Sequence, residues 1–388
     1  MYNFDTLTTR RGSDCYKWDL DKPSDDILPM WVADMDFPTA PKIIEAISHR
    51  VSHGIFGYTR VPQSFYDSIV GWYARRYACH VAPDSILYTS GVVPAVSAII
   101  KALTSPSDKV VVLTPVYNCF FSSIRNNGCQ PLEVPLLRTA DSYVVDFDAL
   151  SAALAQPEAK ILLLCSPHNP AGRVWSSDEL THIGRLCLQN NVILVSDEIH
   201  SGLIMPGHTF VPFASLAPDI VANSITTSSS SKSFNTAGLQ ISYIFTDNEL
   251  WRQKIDRAIN INEVCDVNPF GIIALQTAYN ECEDYLEELC RYIFDNYQFV
   301  RTYLAQHLPK VQVIDLQGTY LVWLDVRSLK VSSNVLHHRL LSEGHLRLSP
   351  GNIYGLSGEG YMRLNIATQR SRLAEGLRRL VSVLAPLQ

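Results

Sequence analysis

The sequence lacks a basic surplus, a long apolar run and an apolar N-terminal segment, and each absence argues against a class of protein. Its 32 Lys and Arg residues are outnumbered by 38 Asp and Glu residues, for a formal net charge of -6. This balance argues against nucleic-acid binding. No apolar run reaches the length of about 18 residues that would span a bilayer, so we expect no contact with a membrane. The N-terminal stretch does not resemble a signal peptide.

The cysteines likewise show no organised spacing. There are nine of them, and no two form a C-x-x-C pair. Because metal sites and disulfide frameworks need characteristic cysteine spacings, we expect no metal and interpret these residues as reduced thiols of a cytoplasmic protein. At 388 residues, the chain exceeds the length at which one core usually keeps growing, so two domains are expected.

One stretch has a composition suited to chemistry, Ser228-Ser-Ser-Ser-Lys232-Ser-Phe-Asn235. A lysine amine can form a Schiff base with a carbonyl, which is how pyridoxal 5′-phosphate (PLP) is tethered in enzymes. The neighbouring hydroxyls could donate hydrogen bonds to a phosphate. Composition alone leaves open the alternative of a flexible serine-rich linker that carries a solvated lysine.

Short apolar runs alternate with helical patterns through the middle of the chain. Strands are predicted at residues 86–89, 110–113, 160–165, 192–196, 220–225 and 241–245. Such runs lack polar alternation, which is typical of strands buried on both faces, and the intervening helices imply a largely parallel sheet. The pattern therefore predicts an α/β architecture.

The pattern changes after two predicted helices, at residues 249–261 and about 269–307. Strands and helices then mix in a way that predicts a smaller α+β domain. We predict an N-terminal segment, residues 1–40, which belongs to the small domain and the edge of the active site. A large domain follows over residues 41–284, and the small domain occupies residues 285–388.

Polar side chains follow four of the predicted strands, namely Tyr117, Asn169, Asp197 and Lys232. In open parallel sheets, ligands bind beyond the carboxyl ends of the strands. Asp197 could pair with a protonated pyridine nitrogen, and Tyr117 could stack on the ring. Asn169 and His200 could interact with the ring oxygen. Each residue also has an ordinary interpretation: Asp197 as an acidic helix start, Tyr117 as a core aromatic and Asn169 as part of a turn.

Two further features suit anionic groups. Ser90, Gly91 and Val92 lie between a strand and a helix start, where free N–H groups and the helix dipole favour a phosphate. A simple helix start is the alternative. Arg363 lies inside an apolar strand, and a buried guanidinium needs an anionic partner such as a substrate carboxylate.

Taken together, these motifs resemble fold-type I PLP-dependent enzymes, and more narrowly the MalY/PatB branch of cystathionine β-lyases (C–S lyases) within the class I/II aminotransferase-like proteins. The resemblance covers nearly the whole chain. Its motifs are Lys17-Trp-Asp19, Trp31-Val-Ala-Asp-Met-Asp-Phe37, Phe56-Gly-Tyr58, Ser90-Gly-Val-Val-Pro94, Thr114-Pro-Val-Tyr117, Ser166-Pro-His-Asn-Pro-Ala-Gly-Arg-Val-Trp175, Ser196-Asp-Glu-Ile-His200, Ser231-Lys-Ser-Phe-Asn235, Gly318-Thr-Tyr-Leu-Val-Trp-Leu-Asp325 and Met362-Arg-Leu-Asn-Ile366.

The resemblance implies a large domain with a mainly parallel seven-stranded sheet between helices, a smaller α+β domain, and a homodimer with the active site at the subunit interface. It also implies a role for each matching residue. The catalytic residue is Lys232, which carries the cofactor; the cofactor-binding residues are Asp197, Asn169, His200, Tyr117, Gly91, Val92, Ser229 and Tyr58, the last from the other subunit; and the residues that bind the substrate carboxylate are Arg363, Ala33 and Tyr58.

The implied reaction is β-elimination from L-cystathionine or a related cysteine S-conjugate, giving a thiol, pyruvate and ammonia. An aminotransferase that uses the same residues is the main alternative, and a PLP-binding regulatory protein is an alternative of another class. Many fold-type I aminotransferases carry an Arg eight residues after the lysine. Gln240 stands there in this chain, which favours the C–S lyase branch.

Overall fold

The computed structural model describes residues 2–22, 26–263 and 267–388, and its central element is a mixed sheet of seven strands. Only one of the seven strands, Ser242–Phe245, runs antiparallel to its neighbours, so the prediction of a largely parallel sheet is confirmed. In spatial order the strands are Ile86–Thr89, Ser242–Phe245, Ser224–Ser228, Ile193–Asp197, Ala159–Cys165, Lys109–Thr114 and Gln130–Pro135.

Both faces of this sheet are buried, as the apolar runs predict. In the strand Lys109–Thr114, Val110 and Val112 pack into one hydrophobic cluster, while Val111 and Leu113 pack into another on the opposite face. Successive side chains of a strand point to opposite faces, so a strand covered on both sides must be apolar throughout. The helices Val92–Leu103, Asn118–Asn126 and Glu249–Asn260 cover the first face, and the helices Phe147–Leu154 and Ser177–Gln189 cover the second.

A second, four-stranded sheet lies in the C-terminal part of the chain and is antiparallel throughout. Its order is Gln312–Val313, Leu321–Asp325, Tyr361–Asn365 and Ser349–Pro350. Two short ribbons pair Leu28–Pro29 with Leu346–Arg347 and Leu137–Arg138 with Tyr143–Val144. The first ribbon joins the N-terminal segment to the C-terminal part of the chain.

Within the described ranges, seven further helices complete the fold, and two of them, Gln63–Tyr77 and Pro269–Glu281, pack against Tyr243 of the large sheet. The seven are Pro41–Ser52, Gln63–Tyr77, Pro218–Val221, Pro269–Glu281, Glu283–His307, Ser333–Ser342 and Arg370–Leu384. Short 3-10 turns are found at Pro83–Ser85, Phe213–Ser215, Ala237–Leu239, Arg327–Leu329, Gly351–Tyr354, Leu356–Gly358 and Ala385–Leu387.

Two of the predicted elements are wrong in their bounds. The strand predicted at residues 220–225 begins only at Ser224, because Pro218 starts a helical turn, Pro218–Val221, that occupies its first half. The single helix predicted over about 269–307 is two helices, which meet at Cys282 in a non-helical conformation (φ -123°, ψ 25°). The division into segments 1–40, 41–284 and 285–388 stays a prediction.

Candidate active site

The carboxyl ends of the large sheet's strands open onto a cavity of about 190 Å³. Most of the residues singled out in the sequence line it together, although they are far apart in the chain. These are Ala33, Gly91, Val92, Tyr117, Asn169, Asp197, His200 and Lys232. Ser229, Arg363 and Tyr58 are not part of this lining.

Lys232 lies in the turn after the strand Ser224–Ser228, and its Nζ donates a hydrogen bond to the carbonyl oxygen of Ala33 at 2.6 Å. Enclosure of the amine lowers its pKa to about 8; the Asp34 carboxylate opposes this shift and the Arg363 charge adds to it. A lysine with such a pKa is partly unprotonated near neutral pH. The amine can therefore act as a nucleophile or a base.

The serines before Lys232 are buried, so the interpretation as a flexible linker is wrong. Ser229 Oγ donates to the Ile241 carbonyl at 2.6 Å and accepts from the Ser231 N–H at 3.0 Å. These bonds keep the Ser229 hydroxyl inside the turn. Ser231 lines the cavity and Ser229 does not, although the family resemblance implies a cofactor-binding role for Ser229.

Asp197 is the last residue of the central strand Ile193–Asp197 and is buried. Burial raises the pKa of its carboxyl to about 7, while a hydrogen bond from the Ile199 N–H and the Lys232 charge act in the opposite direction. That bond reaches Oδ1 at 3.1 Å, and within the described ranges no cation forms an ion pair with this carboxylate. No helix begins here, so the interpretation as an acidic helix start is wrong.

Arg363 reaches the same region from the strand Tyr361–Asn365 of the small sheet. Its Nη1 donates to Asn169 Oδ1 at 3.0 Å, and its Nη2 donates to the Trp31 carbonyl at 2.8 Å. Its Nε is buried and has no hydrogen-bond partner in the described ranges, and its guanidinium lies 4.9 Å from the centre of the Tyr354 ring. Among the described residues no carboxylate pairs with this buried cation, which suits an anion that a ligand would bring.

His200 is buried in the cavity wall, and its Nδ1 has no hydrogen-bond partner in the described part of the chain. Burial and the charges of Lys232 and Arg363 keep the pKa of His200 well below its usual value, so the imidazole is neutral. A neutral imidazole offers either one donor or one acceptor at this nitrogen. His200 can therefore hydrogen-bond a ligand without charging the site.

Tyr117 precedes the helix Asn118–Asn126 and lines the cavity with its partly buried ring. Burial, reinforced by the neighbouring Cys119, raises the pKa of its phenol. Its ring packs edge-on against Phe120, with 5.9 Å between the ring centres. Tyr117 is therefore an aromatic wall of the cavity and stays protonated near neutral pH.

The helix Val92–Leu103 starts at the cavity, and Gly91 precedes it in an extended conformation. Among the residues that the structure describes, no side chain caps this helix start, and the N–H groups of Val92 and Val93 make no backbone hydrogen bond. The first N–H groups of a helix and its dipole together favour an anion. The arrangement therefore forms an anion site that opens to solvent, because Ser90 and Val93 are exposed.

The Tyr58 side chain is almost fully exposed to solvent, with 95% of its surface accessible. It belongs to an irregular segment between the helices Pro41–Ser52 and Gln63–Tyr77, together with the exposed Ile55 and Phe56. A single chain does not bring Tyr58 to the cavity. Its predicted role in another subunit's site therefore stays a prediction.

Comparison with known proteins agrees with this geometry. The family model for aminotransferase class I and II matches residues 25–380. The chain is 41% identical to cystathionine beta-lyase PatB of Bacillus subtilis, over 99% of this chain and 100% of that protein. It is 33% identical to protein MalY of Escherichia coli, over 99% of both chains. The chain belongs to the class I and II aminotransferase family.

A solved structure within this family gives the same result for the fold. Cystalysin from Treponema denticola, whose crystal structure contains PLP, matches with a TM-score of 0.95 and 33% identity, over 100% of both chains. The sequence-based assignment to fold type I and to the MalY/PatB branch is thereby confirmed.

Several residues around the cavity of this family member were not singled out by their sequence pattern. Cys165, Ile199, Ser231, Ala237 and Ile241 all line it. Small or apolar residues near strand ends carry no chemical signal of their own. Only the position of Ser231 beside Lys232 could have suggested that it faces the same space.

Two structural findings bear on other functions. In the described ranges, no helix combines the length and the apolar character needed to cross a bilayer. Across the same residues, no group of three or more His, Cys, Asp or Glu side chains could hold a metal ion.

Proposed function

We propose that this protein is a PLP-dependent carbon–sulfur lyase that carries out β-elimination on a sulfur amino acid of the L-cystathionine type. The products would be a thiol, which is homocysteine in the case of cystathionine, together with pyruvate and ammonia. The observation that carries the proposal is the Lys232 amine, held in a cavity that also contains the buried carboxylate of Asp197. The 41% identity to a cystathionine beta-lyase supports the same reaction.

The residues present fit PLP in charge and in hydrogen-bonding capacity. Asp197 offers a buried carboxylate without a cationic partner among the described residues, which suits a protonated pyridine nitrogen. The free N–H groups of Val92 and Val93, at the start of the helix Val92–Leu103, suit the phosphate, and Gly91 lies directly before them. His200 Nδ1 and Asn169 are available to the ring oxygen, and Tyr117 can stack on the ring.

When bound, PLP withdraws electrons from the substrate Cα and so allows a thiolate to leave from Cβ. Lys232 is the residue placed to hold this cofactor and then to remove the Cα proton, because its lowered pKa makes a neutral amine available. The Ala33 carbonyl orients the Lys232 Nζ at 2.6 Å. Thiols leave readily, so the reaction needs little acid assistance.

Arg363 is proposed to bind the substrate α-carboxylate through its guanidinium, with backbone help near Ala33. Asn169 fixes one edge of this guanidinium at 3.0 Å. Trp31 and Tyr320 lie close by: the Trp31 carbonyl accepts from Arg363, and the Tyr320 hydroxyl donates to the Ala33 carbonyl at 3.0 Å. We propose that these aromatic residues help to select the sulfur amino acid.

We further propose a cytoplasmic homodimer with Tyr58 completing the phosphate site of the partner subunit. The exposed Ile55, Phe56 and Tyr58 support this assembly, because contiguous exposed apolar residues mark interfaces. Ser90 and Val93, at the outer edge of the cavity, are exposed to solvent and so are accessible to a residue of another subunit. The free cysteines support a reducing compartment.

The experiment that tests the function is an assay of the purified protein, loaded with PLP, on L-cystathionine. Pyruvate is measured with lactate dehydrogenase and thiol with a disulfide dye. We expect equal amounts of both products, and Lys232→Ala should lower the rate by at least about a thousandfold. Exposed Lys254→Ala serves as a control and should behave as wild type.

Amino transfer is the outcome that would contradict the proposal. If no pyruvate forms from cystathionine, but amino groups pass from an amino acid to a 2-oxo acid, the protein is an aminotransferase. PLP binding without turnover of either kind would instead indicate a regulatory protein.

A further inference from the structure

The backbone of residues 31–37 accepts hydrogen bonds from both cationic side chains of the active site. The Trp31 carbonyl accepts a hydrogen bond from Arg363 Nη2 at 2.8 Å, and the Ala33 carbonyl accepts one from Lys232 Nζ at 2.6 Å. Arg363 belongs to the small sheet, whereas Lys232 follows a strand of the large one. This segment therefore sets the position of one cation relative to the other.

Side-chain amides from elsewhere in the fold hold most of the segment's other carbonyls. Asn365 Nδ2 donates to the carbonyls of residues 32 and 34 at 2.5 and 2.6 Å. Asn235 Nδ2 donates to those of residues 35 and 37 at 3.0 and 2.8 Å. Gln369 Nε2 donates to the carbonyl of residue 36 at 2.8 Å. These amides satisfy the backbone but carry no charge.

A cluster of four charged side chains anchors the same segment to residues 10–17. Arg10 binds Asp34 Oδ2 at 2.6 Å and Asp36 Oδ1 at 2.8 Å. Lys17 Nζ lies 3.3 Å from Asp34 Oδ1 and 3.1 Å from Asp36 Oδ1. Two cations thus share two carboxylates, and the Lys17 and Asp36 side chains are only 1% and 2% exposed.

Stability alone does not account for this buried charge. Desolvation of buried ions offsets much of their attraction, and well-packed apolar residues of similar volume would often serve the fold as well. By contrast, the charge of one member of the cluster, Asp34, acts on the Lys232 amine in the active site. Among the charged groups near Lys232, the Asp34 carboxylate acts most strongly on the pKa of the Lys232 amine, which it raises, ahead of Arg363 and Asp197. His200, which also faces Lys232, is neutral.

We propose that Arg10, Lys17, Asp34 and Asp36 are positioning residues of the active site, which fix the Trp31 and Ala33 carbonyls against Arg363 and Lys232 and set the charge that Lys232 faces. The proposal rests on the proposed role of Lys232 as the residue that holds the cofactor. It gives a function to Arg10 and Lys17 in the N-terminal segment, and to the side chains of Asp34 and Asp36, none of which lines the cavity.

The test uses two substitutions that change the cluster's charge in opposite directions. Asp34→Asn leaves two cations with one carboxylate, and Lys17→Met leaves two carboxylates with one cation. The readout is the pH midpoint at which the visible absorbance of the lysine-bound cofactor changes. We expect the midpoint to fall in Asp34→Asn and to rise in Lys17→Met, each by about half a pH unit or more.

Asp19→Asn is the matched control, because this half-buried carboxylate of the same N-terminal segment bonds, among the described residues, only to backbone N–H groups of Gly12, Ser13 and Cys15. Its midpoint should equal that of wild type. Unchanged midpoints in Asp34→Asn and Lys17→Met, or shifts of the same sign, would overturn the proposal and leave the cluster with a structural role alone. If Asp34→Asn does not fold, the direction of the Lys17→Met shift decides the question.

A second readout separates this inference from the proposed function. In the cofactor-free protein, the rate at which acetic anhydride modifies Lys232 is followed against pH by peptide mass spectrometry. The same opposite shifts are expected for the two variants. If wild type forms no lysine-bound absorbance band, the proposed function fails, while the labelling profiles still uphold or overturn the positioning role.

Discussion

At the Asp197 carboxyl, burial raises the pKa from an ordinary 3.8 to about 7. When the pKa of a carboxyl group is higher in the folded protein than in the unfolded chain, the free energy of unfolding falls as the pH rises from the unfolded pKa to the folded pKa. The cofactor-free protein should therefore be less stable at pH 8 than at pH 5 through this group. A cationic ring nitrogen beside the carboxylate would offset this loss of stability. The buried Asp197 therefore destabilises the cofactor-free protein but favours binding of the cofactor.

The substitution Asp197→Asn tests this coupling. At pH 8 the cofactor-free variant should be more stable than wild type by on the order of a few kcal/mol, and the difference should shrink toward pH 5. Urea unfolding of both proteins at the two pH values measures it. Addition of PLP should stabilise wild type more than the variant. If the stability difference between the variant and wild type is the same at both pH values, the pKa of Asp197 is not raised by burial.

Most candidate residues could be predicted from the sequence, because strand ends of a parallel sheet converge on one edge. Lys232, Asp197, Asn169 and Tyr117 meet there for that reason. The orientation of the Ser229 hydroxyl could not be predicted in this way. It donates a hydrogen bond to the Ile241 carbonyl, and no pattern in the sequence shows which partner a hydroxyl will bond.

At the scale of elements, the start of the helix Val92–Leu103 gives the cavity its anion site. Gly91 lies directly before it, and a Cβ added there would approach Pro94 Cδ to 3.3 Å. Such a contact is tight, and the extra methyl would also narrow the approach to the free N–H groups. The glycine is therefore required by the close approach and not by its backbone angles, which other residues can adopt.

Gly91→Ala should weaken PLP binding by roughly tenfold, since about 1.4 kcal/mol of lost contact has that effect. Titration of the cofactor-free protein with PLP, followed by absorbance, gives the dissociation constant. Gly238→Ala is the control, because Gly238 is exposed and a Cβ there would meet no atom within 4 Å. Unaltered affinity in Gly91→Ala would show that the phosphate binds elsewhere.

The sequence predicts the central strands better than the edge strand Gln130–Pro135, which it does not reveal. That strand carries Pro131 and Pro135 and lies at the end of the sheet. Because proline has no N–H to donate to a neighbouring strand, it is tolerated mainly in edge strands. The same prolines interrupt the apolar run by which a strand is recognised in the sequence. The helix break at Cys282 was missed for a related reason, since neither Gly nor Pro marks it.

At the scale of the whole molecule, the site combines the large sheet, the small sheet and the N-terminal segment. Lys232, Arg363 and Ala33 come from these three parts, and they meet through two hydrogen bonds to residues 31–33. Tyr58 is a predicted contributor that a single chain leaves almost fully exposed and outside the cavity. A residue supplied by another subunit cannot be located from the packing of one chain.

Mixing two inactive variants tests whether the site is shared between subunits. Lys232→Ala and Tyr58→Ala, denatured together in equal amounts and refolded, should regain about a quarter of wild-type activity. Half of the dimers would be mixed, and each mixed dimer would hold one intact site. Each variant refolded alone is the control. Recovery no greater than the mean of the two separate variants would place Tyr58 outside a shared site.

The most direct test of the central claim is to find the residue that holds the cofactor. The purified protein is incubated with PLP, reduced with borohydride and digested, and the modified peptide is sequenced by mass spectrometry. We expect the pyridoxyl group to be attached to Lys232. Modification of another lysine, or none, would contradict the assignment of this cavity as the active site.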